Sequence, residues 1–182
     1  TDTLKNVEKY FNDSSLVSNS SFFLPYLSGE RTPHNDPHIR GSFHAMKTTT
    51  DATNLQYAVI EGVSFGILDG VNSILKVNEN FDKIFMVGGG SRSSFWIELL
   101  ASLLERNLSV CDQSEYGAAL GVARLAMHVD KNIQDRNNII KEIKISKEYK
   151  PQFDSIDLLK KRYKIWKDLY SSNKKIAPTL LA

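Results

Sequence analysis

An α/β fold is what this sequence predicts, and three observations predict it. Two short apolar runs, "IFMV" at 84–87 and "LSVC" at 108–111, are each followed by an apolar helical pattern, so strand, helix, strand and helix alternate. Three consecutive glycines, Gly88, Gly89 and Gly90, fall where the first strand gives way to its helix. A long helix precedes both strands, because Leu55, Ala58, Val59, Gly62, Val63 and Gly66 open a series that steps by threes and fours as far as Leu75. The alternation implies a parallel component in the sheet, and continuous apolar runs imply strands buried on both faces.

Taken in chain order, Leu4, Val7, Tyr10 and Phe11 keep the spacing of a short first helix. "NDSSLVSNSS", residues 12–21, is rich enough in Ser and Asn to read as a loop. In "SGERTPHNDPHIRG", residues 28–41, Gly29, Pro33, Pro37 and Gly41 exclude a long helix or a central strand. "GSFHAM", residues 41–46, reads as a short strand, and "TTTDA" supplies the cap of the long helix. Gly62, Gly66 and Gly70 lie four apart on that helix, each at a cost of about 1 kcal/mol relative to Ala, so a closely packed ridge is expected in compensation.

Trp96, Leu99, Leu100 and Leu103 mark the helix after the glycines, and "GAALGVARLAMHV" the helix after the second strand. Ile156, Leu159, Tyr163, Trp166 and Tyr170, spaced three, four, three and four, predict a closing amphipathic helix in which "LKKRYKIWK" is the wet face. Residues 1–182 then read as a single domain: a loop-rich lead-in over 1–50, a helix and β/α core over 51–130, and a tail over 131–182.

Composition narrows the function. The 182 residues are 41% hydrophobic and 24% charged, enough for one sizeable core, and 23 Lys+Arg against 21 Asp+Glu leave a net charge of +2. That balance argues against a nucleic-acid partner. No run reads as long enough to span a bilayer, and Glu61 and Asp69 interrupt the longest apolar segment, so no membrane partner is expected. The single cysteine, Cys111, cannot form an internal disulfide, which fits a reducing, cytoplasmic setting. The start lacks a secretory pattern and also lacks Met, which leaves open a processed chain, an expression artefact or part of a longer product.

The glycines admit two explanations. A helix N-terminus offers unpaired N–H groups and partial positive charge, and glycines ahead of it let a nucleotide approach bare backbone. A tight strand-to-helix turn needing positive φ would use the same residues. No lysine follows into the helix, so a GxxxxGK[ST] phosphate loop is absent. Gly88, Gly90 and Ser93 do match a GxGxxG spacing, with Asp112 after the next strand as a ribose acid, which makes a Rossmann dinucleotide module a rival. His34, Asp36 and His38 form an HxDxH cluster, but Pro33 and Pro37 preclude the helical face that would converge them on a metal, so solvated or loop-bridging histidines are expected. Glu30 and Arg31 are expected to pin the same loop, and Trp96 and Trp166 to pack in the core.

"GSFHAMKTTTDATNLQYAVIE", residues 41–61, resembles the second signature of the FGGY carbohydrate kinases, with Gly41, Phe43, Asn54, Leu55, Ala58 and Glu61 on pattern. It departs at Ala45, where the pattern has glycine, and whether that position needs a left-handed backbone stays open. "LPYLSGERTPHNDP", "VGGGSRSSFW" and "YGAALGVARLA" resemble the xylulokinase branch of that family. The resemblance implies an actin-like (ribonuclease H-like) ATPase domain, and in particular the carboxyl-terminal part of the second of two domains that close over a sugar and ATP with Mg²⁺. It further implies that Gly88, Gly89 and Gly90 approach adenine nucleotide with backbone, that Ser93 offers a hydroxyl and that Gly117 opens the next helix beside them, its missing side chain serving close packing or a purine neighbour, of which packing is expected. No catalytic residue is assigned to this chain. The general base and first phosphate loop would belong to an amino-terminal domain it lacks, so the chain alone should be inactive. D-xylulose is the ketose implied, another sugar remains open, and a homodimer is compatible with the pattern.

Overall fold

The computed structural model describes residues 2–77, 83–112, 114–129, 144–152 and 156–176. Helix α1 (Asp2–Phe11) buries Val7 and Phe11, the latter edge-on to Phe95. A short helix α2 (Ser14–Ser18) follows where the sequence predicts a loop. The Asp13 carboxylate accepts from the Ser15 and Leu16 amides and Val17 is buried, so one cap and one apolar anchor outweigh the unfavourable composition.

Strand β1 (Phe22–Leu24) pairs antiparallel with the expected strand β2 (Ser42–His44), Phe22 opposite His44. The loop between them is irregular, as its prolines and glycines predict. Gly29 has φ +89°, and Glu30 and Asp36 exchange backbone hydrogen bonds at 2.9 and 2.7 Å. The Glu30 carboxylate accepts the Thr32 amide at 2.7 Å, as the pinning role requires.

Helix α3 (Ala52–Leu75) is capped by Asp51, whose carboxylate accepts the Asn54 amide at 2.8 Å. A Cβ added to Gly62 would stand 2.1 Å from the Phe23 carbonyl oxygen, so the glycine is what lets α3 lie against β1. The predicted ridge stops there, because Gly66 meets only Pro25 at an ordinary 3.6 Å and Gly70 faces open space. By length and composition α3 could cross a membrane, contrary to the expectation that no run would. Here it is a core helix: Tyr57 and Phe65 are fully buried within it, and Glu61 is paired.

Helix α6 (Ile156–Ile176) closes the helical core with Leu159 and Trp166, and the Trp166 indole donates to the Phe23 carbonyl at 2.8 Å. "LKKRYKIWK" is not uniformly wet. Arg162 is buried, donates to both Glu61 oxygens at 2.6 and 2.7 Å, and reaches the Ser20 and Ser21 carbonyls. Burial pushes the Glu61 carboxyl up against the pull of Arg162, and burial opposes the Arg162 charge, but the Glu61 carboxylate outweighs it and holds the guanidinium's pKa up.

A second sheet has the order β3-β4-β5. Strands β3 (Ile84–Met86) and β4 (Leu108–Cys111) are parallel, as predicted, and β5 (Ile145–Tyr149), which the sequence analysis does not identify, pairs antiparallel with β4. β4 is buried as expected, but β3 is only half-buried and Val87 beyond it is exposed, because β3 has a partner on one side only among the described residues. Helix α4 (Ser94–Leu104) lies between the two cores. Phe95, Leu99 and Leu103 face the helices, while Ile97, Leu100 and Ala101 face the sheet. Helix α5 (Gly117–Val129) completes the predicted alternation with no buried residue.

Candidate functional site

The parallel β3–β4 pair sends two segments out of its carboxyl ends, Val87–Ser93 and the turn at Ser114–Tyr116 that enters α5. That end of a parallel sheet is where α/β folds bind ligands. Two serines the sequence analysis does not single out hold the segments together. The Gly88 amide donates to the Ser114 carbonyl at 2.9 Å, and the buried Ser91 hydroxyl donates to the Gly88 carbonyl at 2.7 Å. Ser91 and Ser114 hydroxyl oxygens are also 2.7 Å apart. Ser91 has a single proton, already directed at Gly88, so Ser114 is the donor between them. No spacing rule pairs residues 23 apart, and only the parallel strand pair brings them together.

The three glycines have three different environments. Gly88 takes φ +82° and ψ −170°, a backbone open essentially to glycine. Gly90 sits within a 3₁₀ turn, Gly89–Arg92, where an added Cβ would meet the Trp96 ring at 3.1 Å. That ring is fixed by its indole N–H, which donates to Ser64 of α3 at 2.9 Å. Gly89 is exposed, and an added Cβ there would meet nothing within 4 Å. Conformation demands glycine at Gly88 and packing favours it at Gly90, whereas nothing in the fold demands it at Gly89.

Ser93 is the N-cap of α4, and its hydroxyl oxygen accepts the Trp96 amide at 3.3 Å. Its hydroxyl proton stays available, and the Ser94 and Phe95 amides of the first turn have no intrahelical acceptor. The same helix end carries partial positive charge. Gly117 is the first residue of α5, and contrary to the expectation of close packing an added Cβ there would meet Val87 at an ordinary 3.6 Å, so packing does not require glycine. Asp112 is exposed at the end of β4, its amide bound to the Lys144 carbonyl at 3.0 Å. Beside it, burial and then the Asp112 charge push the free Cys111 thiol up, so it stays protonated.

The HxDxH residues are engaged elsewhere. Asp36 accepts the His38 and Ile39 amides at 3.0 and 3.2 Å and the Tyr170 hydroxyl at 3.0 Å, while His34 stacks on the Tyr170 ring at 3.6 Å. Asp36 and His34 thus bridge the loop to α6, while the His38 side chain is exposed, the two kinds of role expected.

A parallel strand pair whose carboxyl-end segments are hydrogen-bonded to each other, with an exposed glycine and a helix N-terminus beside them, is an arrangement that α/β folds use to bind ligands. The chain belongs to the FGGY family of carbohydrate kinases, whose C-terminal domain matches residues 3–129. It is 29% identical over 169 residues to a xylulose kinase of Staphylococcus epidermidis, covering 92% of this chain and 34% of that protein. A xylulose kinase of Escherichia coli is 39% identical over 105 residues, 58% of this chain and 22% of its own. The crystal structure of ligand-bound xylulose kinase from Lactobacillus acidophilus superposes with a TM-score of 0.76 at 25% identity, over 98% of this chain and 36% of that one. The chain thus spans about a third of the length of the first of these relatives.

The fold is that of the actin-like ATPase domain of sugar kinases, carboxyl-terminal part, as the resemblance implies. The Rossmann alternative is set aside, because the chain belongs to another family.

Proposed function

We propose that this chain forms the nucleotide-side wall of a sugar kinase that transfers the γ-phosphoryl group of ATP to D-xylulose in the cytoplasm. The observation that carries the reading is Gly89, exposed at the carboxyl end of a parallel strand with open space where a side chain would stand. Gly88 sets the direction of the turn, the Ser91–Ser114 pair holds it against the start of α5, and Gly89 and Gly90 present backbone to the nucleotide. Ser93 donates its hydroxyl proton, with Gly117 beside it. The names of the similar proteins support D-xylulose as the acceptor.

Phosphoryl transfer relies on positioning and charge neutralisation, which ATP-bound Mg²⁺ supplies together with a base for the sugar hydroxyl. Among the described residues no group of three His, Cys, Asp or Glu gathers to hold a metal. We assign no residue of this chain to the ion or to the base, and expect the chain alone to bind nucleotide weakly without turning over sugar.

Calorimetric titration of ATP into the chain and its Gly89→Val variant, each paired with a thermal melt, tests the proposal. Binding lost in a variant that melts as the parent does is the expected result, and ADP release with Mg²⁺ and D-xylulose stays at background. Unchanged ATP affinity in the folded variant would return the glycines to a turn-only role.

A further inference from the structure

A cavity of about 710 Å³ opens between the last turns of α3, helix α6 and the Pro33–His34 turn, and shares no lining residue with the Gly88–Gly117 region. Its floor is Asp69, whose carboxylate accepts the Tyr163 hydroxyl; the Asn72 side-chain amide lies 3.4 Å from the same hydroxyl. His34 Nε2 stands 3.6 Å from the other Asp69 oxygen, outside hydrogen-bond range, and is shielded from solvent with no hydrogen-bond partner. The Tyr26 hydroxyl, on a residue 2% exposed, also has no hydrogen-bond partner among the described residues, and the Tyr26 ring meets His34 edge-on at 5.9 Å. Of these two groups His34 lines the cavity, and a polar atom left without a hydrogen bond there is costly to the fold unless something entering the cavity engages it.

Charge decides the class of ligand. Lys76 and Lys167 line the cavity as exposed ammonium groups, against the single Asp69 carboxylate, which already accepts a phenol. Burial and then that hydrogen bond hold the Tyr163 phenol far above its ordinary range, so it remains a neutral donor to Asp69. One face of Tyr170 is covered by His34 and one of Tyr163 by the Lys167 ammonium at 4.9 Å, which closes those faces to a stacked base. What remains selective is a pair of exposed point charges, with Asn72, Ser73 and Ser171 also on the lining as amide and hydroxyl groups.

We propose that this cavity is a binding site for a small hydroxylated anion, a phosphate or carboxylate group taken between Lys76 and Lys167 with its hydroxyl-bearing body turned toward Asp69 and His34. The site does not depend on the nucleotide reading, since the two regions have no residue in common.

Amide chemical shifts of the labelled chain, titrated with D-glucose 6-phosphate, D-glucuronate and neutral D-glucose, test it on one sugar body. At least one charged sugar is expected to give saturable shifts in 69–76 and 163–171 but not in 88–93, and which of the two does so identifies the anionic group. Lys76 and Lys167 are exposed, so the double variant Lys76→Met, Lys167→Met should melt as the parent does while losing at least about tenfold in affinity. Binding of D-glucose as strong as that of the charged sugars, no saturable shift by ~10 mM ligand, or full affinity in the double variant would each overturn the proposal.

Discussion

Helices α4 and α5 have the same origin and opposite surroundings. Each follows a strand of the parallel pair, and each is apolar along most of its length. α4 buries seven residues between two cores, and α5 buries none, with Val122, Leu125 and Val129 each more than two-thirds exposed. Composition decides that a segment is helical and apolar, but whether it is buried depends on a second surface being there to meet it. The outer edge of β3 has no partner among the described residues, and Val87 and the apolar residues of α5 are exposed, so this part of the molecule is the open one. The glycine turn lies on this open side, whereas the Glu61–Arg162 pair is buried on the closed one.

If the closed side is what makes the chain fold, its largest sensitivity is Arg162. Arg162→Ala leaves Glu61 buried without its partner and frees two carbonyls, and a loss of about 3–5 kcal/mol is expected in denaturant unfolding. A loss below 1 kcal/mol, on the order of a surface pair, would show that the clamp is dispensable.

The helix comparison itself is sharpened by a matched pair of substitutions. Leu99→Ala in α4 should cost about 2–5 kcal/mol, whereas Leu125→Ala in α5 should stay within about 0.5 kcal/mol of the parent. Equal losses in thermal or urea unfolding would mean that α5 is covered in solution.

The smallest effect concerns Ala45. Its φ of +57° answers the question left by the signature, because the left-handed backbone persists although the glycine does not. An L-residue there is strained by about 1–2 kcal/mol, partly offset by the stiffer unfolded chain, so Ala45→Gly should stabilise by about 0.5–1 kcal/mol. A melting temperature unchanged or lowered would show that the strain is relieved locally.

Elements with strong periodicity were legible in the sequence: α3 with its Asp51 cap, α4, α6 and the parallel strand pair all stand where the spacing puts them. The rest was hidden for physical reasons. β5 reads "ISKEY" and buries only Tyr149, so it carries no apolar pattern, and α2 rests on one cap and one valine. Arg162 sits in a lysine-rich stretch and differs from its neighbours only in facing Glu61, 101 residues away. At the site the glycines were visible as a group. Their separate reasons were not, since φ at Gly88, the Trp96 ring over Gly90 and the space around Gly89 arise only once the strands pair and α4 packs on α3.

The central claim is that the open side of this molecule is a nucleotide wall. Its most direct test is an amide chemical-shift titration of the chain with ATP. The largest saturable shifts are expected at Gly88, Gly89, Gly90 and Ser93, with Gly117 following, while the amides around Glu61 and Arg162 stay unmoved. Saturable shifts that avoid the 88–93 turn, or none at nucleotide concentrations of about 10 mM, would contradict it.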